Sequence, residues 1–156
     1  MRGKISIDEG DTDMAPEERS RLKIDEKLRQ SGWAVQDMKD LNLTAALGVA
    51  VREFPTDSGE VDYALFIEGV PVGVVEAKRD EAGEHITDVE NQSGRYANSK
   101  FKWIKGEYTI RFVYEATGSM TRFTDYADKK CRSREVFSFH RPQTLQHRGG
   151  AQLLPQ

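Results

Sequence analysis

The chain has 156 residues, a formal net charge of −3, 37% apolar residues and 31% charged residues. That is length enough for one domain with its own core. It holds no apolar run approaching the roughly 20 residues a membrane helix needs, and its acidic balance argues against strong autonomous binding to nucleic acid, since free-standing DNA-binding domains are usually basic. One cysteine, Cys131, excludes an internal disulfide and a cysteine-rich zinc site. His85, His140 and His147 have no ligand spacing, and the expected compartment is the cytoplasm.

Residues 1–13 carry Asp8, Glu9, Asp11 and Asp13 with few apolar neighbours and no apolar signal segment. They are expected to be a disordered tail. A helix is predicted to start at Pro16, with Glu17 and Glu18 complementing its dipole. Leu22, Ile24 and Leu28 supply its apolar side, and Gly32 ends it so that Trp33 packs back on the last turn. A short strand at Ala34-Val35 follows, then loop with a helical turn from Asp37 to Leu47. Residues 49–54 read as a strand stopped by Pro55, and 55–59 as turn chemistry.

Two apolar strands then flank a tight turn, from Val61 to Lys78. Each carries an acid, Asp62 and Glu76, and Lys78 follows Glu76 by two positions, so Glu76 and Lys78 share a strand face. The turn decides whether Asp62 joins them. A three-residue loop, Glu68-Gly69-Val70, makes paired residue numbers sum to 138 and sets Asp62 opposite Glu76; a two-residue loop gives 137 and opposite faces. Gly69 favours the three-residue form. Two facing carboxylates repel, and folding alone gives no reason for them. A hard divalent cation does, because Mg²⁺ takes one or two carboxylates and otherwise keeps water and phosphate oxygens. With a lysine beside it to orient water or stabilise developing charge, this is the minimal kit for metal-assisted phosphodiester hydrolysis. The competing account is that the charges cap strand ends, or that Glu76 and Lys78 form a surface ion couple of little worth.

A second helix is expected from about residue 85 to 99, with Ile86, Val89, Ser93, Tyr96 and Ala97 on one face. Gln92 and Tyr96, four apart, share a helix side. Strands are predicted at 108–114, 121–124 and 136–139, and residues 142–156, with two prolines and two glycines, are expected to fray. The order of elements gives an α/β fold, a mixed sheet flanked by helices with the acidic hairpin at its centre. Two basic groups, Lys100/Lys102/Lys105 and the run 129–134, are either phosphate-contacting patches or solvated faces. No nucleophile elbow and no ATP-binding P-loop occur.

Taken together, Pro16-Glu17-Glu18-Arg19, Ser31-Gly32-Trp33, 50–54, Val61-Asp62-Tyr63, Pro71 to Lys78, Gln92-Ser93-Gly94-Arg95-Tyr96-Ala97 and Phe139-His140-Arg141-Pro142 resemble the N-terminal nuclease domain of the type I restriction enzyme R subunit. That domain is of the restriction-endonuclease-like PD-(D/E)xK superfamily with a Gln-x-x-x-Tyr helix. The likeness runs over 14–145, leaving 1–13 and 146–156 as tails. The resemblance implies a Mg²⁺-dependent endonuclease, a type I site-specific deoxyribonuclease domain. Asp62 and Glu76 would bind metal, with Glu17 or Glu18 as a further acid, Lys78 would serve the attacking water, and Gln92 and Tyr96 would complete the site. It implies DNA as substrate, methylation and specificity subunits as partners, no membrane, and ATP use only through a motor domain that would follow residue 145. Two alternatives stand beside it: a non-catalytic interaction module of the same fold, and a stand-alone structure-selective DNA nuclease.

Overall fold

The computed structural model describes residues 15–78 and 99–149. Helix α1 (Pro16–Gln30) begins on Pro16, has Glu17 and Glu18 in its first turn and Lys27 and Arg29 in its last. These charges oppose the helix dipole at both ends. Ser20, Ile24, Asp25 and Leu28 are buried, a three-and-four spacing that turns one stripe to the sheet. Trp33 closes the end as expected: its N–H donates to the Leu28 carbonyl (3.1 Å), and its indole Nε1–H donates to the His140 carbonyl (2.9 Å).

Among the described residues, seven strands form one mixed sheet in sequence order: β1 (Ala34–Gln36), β2 (Gly48–Thr56), β3 (Gly59–Ile67), β4 (Val70–Ala77), β5 (Phe112–Ala116), β6 (Thr121–Asp125) and β7 (Arg134–Val136). The β1–β2 and β4–β5 pairs are parallel and the rest antiparallel. The β3–β4 hairpin is central, and both its faces are covered. Ile24 and Leu28 of α1 pack with Tyr63, Leu65, Val72, Val75, Phe112, Tyr114 and Phe123 on one side. Phe54, Phe66, Val74, Phe101 and Val113 build the core on the other. Each such fully buried aliphatic or aromatic side chain contributes about 1.5–3 kcal/mol.

Four expectations need correction. Strand β2 runs through Pro55 instead of stopping there. Its β1 neighbour covers only Val49–Val51, and beyond it Pro55 accepts the Lys102 N–H on its carbonyl (3.2 Å) beside an isolated Thr56–Phe101 bridge, so the missing N–H interrupts a single bridge and no extended ladder. Residues 108–111 are outside the strand predicted for 108–114, which occupies Phe112–Ala116; Tyr108 instead accepts the Phe101 N–H on its hydroxyl (2.7 Å). The last strand sits at Arg134–Val136, leaving Phe137 exposed while Phe139 enters the core. Residues 142–149, expected to fray, form helix α2 (Pro142–Gly149), whose Leu145 is fully buried and whose Arg148 bonds Asp125 (3.1 Å). Proline at a first helical turn and glycine at a last one delimit a helix as readily as they break one. The expected disorder of 1–13 and the helix at 85–99 fall on residues 1–14 and 79–98, outside the described residues but for Ser99. None of the described helices is long and apolar enough to cross a membrane.

Candidate active site

The hairpin turn has two residues, Glu68 and Gly69, with Ile67 paired to Val70. Both carry positive φ (51° and 78°), the conformation of a two-residue type I′ turn, whose twist matches the strands. The three-residue loop is therefore corrected. Its consequence for register nevertheless returns by another route. Phe66 pairs Pro71, but Leu65 pairs Gly73, leaving Val72 as an extra residue. This bulge moves the sum from 137 to 138, and the ladder ends on Ala64↔Val74 and Tyr63↔Val75. The next positions in that register are Asp62 and Glu76. Gly73, just past the bulge, lies so close to β5 that a Cβ would meet the Phe112 carbonyl oxygen at 2.5 Å.

Beyond Tyr63↔Val75 the two strands part. Asp62 Oδ2 accepts the Ala77 N–H (2.8 Å), taking the place of a main-chain acceptor. Lys78 N–H donates instead to Ala116 on β5 (2.7 Å). The carboxylate thus lies at the seam where β4 leaves β3 for β5. On β2, Glu53 has φ +52°. This breaks alternation, so Arg52 and Glu53 both reach toward α1: Arg52 to Asp25, Glu53 to Arg21.

The result is a cleft of about 560 Å³ lined by Glu17, Glu18, Arg21, Glu53, Asp62, Ala77 and Lys78. Arg21 donates to Glu53 Oε1 (2.9 Å) and to Asp62 Oδ1. Burial pulls the Arg21 guanidinium toward neutrality, but the charge of Asp62 and the bond to Glu53 outweigh it, and its proton is held more firmly than usual. Four carboxylates face two cations here, a donor set of hard oxygens suited by kind and charge to a divalent cation. Among the described residues no group of three or more His, Cys, Asp or Glu side chains is gathered tightly enough to hold a metal. A cation at this seam would rest on one or two carboxylates and complete its shell with water.

Of the residues singled out from sequence, Asp62, Lys78 and Glu17 meet in this cleft, with Glu18. Glu76 does not line it. Val75 and Ala77, on either side of Glu76, both pack on the α1-side core, so Glu76 leaves the sheet on the opposite face. There its register partner on β5 is Glu115, a buried acid that the sequence reading passed over. Gln92 and Tyr96 lie outside the described residues. Arg21 and Glu53 were also missed. Arg21 had a legible signal, standing three and four positions after Glu18 and Glu17 and so on their helix side. Glu53 had none, because its position depends on one left-handed backbone angle.

Residues 44–148 match the family model for the second domain of the type I restriction enzyme EcoKI endonuclease subunit. The chain belongs to that family. The matched stretch contains Asp62, Glu76, Lys78, Gln92 and Tyr96 but not α1, so Glu17 and Arg21 fall outside it. The EcoKI endonuclease subunit of Escherichia coli K12 is itself 36% identical over 93 residues, which are 52% of this chain and 8% of that protein. A fragment structure assigned to the HsdR subunit of a type I restriction enzyme from Vibrio vulnificus YJ016 superposes with a TM-score of 0.59 at 18% identity. It covers 86% of this chain and 25% of that one, and it shows the α/β fold. This restriction-enzyme endonuclease-subunit domain thus spans a small part of each relative's length.

Proposed function

We infer that this domain is a Mg²⁺-dependent endonuclease that hydrolyses DNA phosphodiester bonds as part of a type I restriction complex in the cytoplasm. The observation that carries this is the seam itself: in a domain of this family, Asp62 and Lys78 open onto one acid-rich cleft where the central strands part. Of the two acids that the resemblance gives to the metal, Asp62 would hold the cation, with Glu17 at the helical side of the cleft, and Glu76, on the opposite face of the sheet, is not assigned to it. Bound Mg²⁺ would supply charge neutralisation at the phosphate oxygens. The chain's own groups do the positioning. Ala77 N–H fixes the Asp62 carboxylate against the seam. Lys78 brings an ammonium to the same cleft, where it orients a water for in-line attack and stabilises negative charge as the new P–O bond forms and the ester P–O bond breaks. Gln92 and Tyr96 would line the approach of the scissile strand. Methylation and specificity subunits are the proposed partners, and they would supply most phosphate contacts, which the net charge of −3 withholds from the domain.

The test is a calorimetric Mn²⁺ titration of the chain beside Asp62→Asn, followed by plasmid nicking in Mg²⁺. Binding by the wild type that Asp62→Asn loses, with nicking abolished by Lys78→Ala while Mn²⁺ affinity persists, is the expected pattern. A wild type that takes up no Mn²⁺ in the millimolar range removes the nuclease reading and leaves the interaction module. A Lys78→Ala variant that nicks at the wild-type rate takes Lys78 out of the mechanism.

A further inference from the structure

The cleft already contains a cation of its own. Asp62 Oδ2 is tied to the backbone N–H of Ala77, so Oδ1 is the oxygen left to face the cleft, and Arg21 holds that oxygen. The guanidinium is anchored a second time on Glu53. The three side chains remain accessible, at 30% exposure for Arg21, 23% for Asp62 and 58% for Glu53, so water and ions reach the contact. Arg21 also has somewhere to go. Glu53 is already bonded to it, and Glu17 and Glu18 stand one helical turn away on the same cleft wall. We propose that Arg21 is a positioning residue that serves as the stand-in cation of Asp62: it holds the carboxylate in place until a divalent ion arrives, and it must yield Oδ1 for that ion to bind. This rests on the nuclease reading above. It adds that cation affinity is held down by a side chain on α1, outside the stretch that matches the family model.

A guanidinium and a divalent cation both seek a carboxylate oxygen, and a site occupied by one binds the other with an affinity reduced by the work of separation. The pair is partly exposed, so that work is small, and the expected effect is modest rather than all-or-none.

The experiment is a Mn²⁺ titration by calorimetry on the full chain as wild type, Arg21→Met and Arg21→Lys, with thermal unfolding of each as the folding check. Arg21→Met is expected to bind Mn²⁺ roughly two- to fivefold more tightly than the wild type, the range of a partly exposed ion pair. Arg21→Lys keeps the charge but not the fork and should fall between the two. The gain in Arg21→Met should persist at salt high enough to shrink the Debye length to about 3 Å, because a contact is displaced and not merely a distant charge removed. A folded Arg21→Met with unchanged Mn²⁺ affinity, or a gain that vanishes at high salt, overturns the proposal while the nuclease reading stands. If neither the wild type nor a folded Arg21→Met binds Mn²⁺ in the millimolar range, both fall together.

Discussion

Among the described residues, two arginine–aspartate pairs bridge α1 to the sheet, and they are mirror images in role. In one, the helix gives the acid and β2 the base: Asp25 accepts from Arg52 Nη2 (2.7 Å), from Arg52 Nε (3.3 Å to each oxygen) and from the Tyr63 hydroxyl (2.6 Å). In the other, β3 gives the acid and the helix the base: Asp62 accepts from Arg21. The Asp25 side chain is 5% exposed and the Asp62 side chain 23%. Around Asp25 the Tyr63 phenol is held well above its ordinary range, first by burial and then by its bond to the carboxylate. The Arg52 proton is likewise bound more firmly, chiefly through the Asp25 bond. The first pair therefore resists exchange with solvent, and the second faces a cleft. The same chemistry serves architecture where water is excluded and leaves room for function where it is not.

That contrast can be broken at its strong side first. Arg52→Ala strands Asp25 beneath the helix, and chemical denaturation should show a loss of about 2–4 kcal/mol, below the full buried-pair figure because Arg52 is itself partly exposed. Gly73→Ala drives a methyl into the Phe112 backbone beside the bulge, and should cost about 1–3 kcal/mol. It should also lower Mn²⁺ uptake, since it disturbs the register that leads Asp62 to the seam. Asp62→Asn, by comparison, should change stability by no more than about 1 kcal/mol while abolishing Mn²⁺ binding. A loss of stability as large as that of Arg52→Ala would make both pairs architectural.

The smallest effect sharpens the comparison with a third acid. Asp125, on β6, accepts from Arg111 (2.7 and 3.0 Å), Arg148 (3.1 Å) and the Ala127 N–H (3.0 Å). Burial pushes its pKa upward, but these donors, led by Arg111, outweigh it and hold the carboxyl below its ordinary value of 3.8. A depressed carboxylate contributes stability that is complete above the unfolded pKa and is lost as pH falls through the folded one. Unfolding midpoints measured from pH about 5 downward should therefore fall less steeply in Asp125→Asn than in the wild type. Parallel slopes would remove Asp125 from the acid response.

Several features were legible from residues alone because they depend on neighbours in the chain. Pro16, Glu17 and Glu18 start α1, and Gly32 with Trp33 ends it. Near-continuous apolar runs set both strands of the central hairpin, and Val72, Val74 and Val75 do bury on two faces. The family resemblance, too, rested on local motifs.

What the folded chain alone decided depends on contacts between distant segments. The summed register of 138 was anticipated from a longer loop, yet it arises from a tight turn corrected by a bulge at Val72. No local rule places that extra residue, because the bulge answers to packing across β3 and β5. Pro55 continues a strand because β1 has ended and only an isolated bridge to residues 100–102 meets that side. Arg21 meets Asp62 across 41 positions of sequence, through a helix laid on a sheet and a left-handed Glu53 that turns toward it. Periodicity specifies which face a side chain leaves, and only the packed layers determine what it meets there.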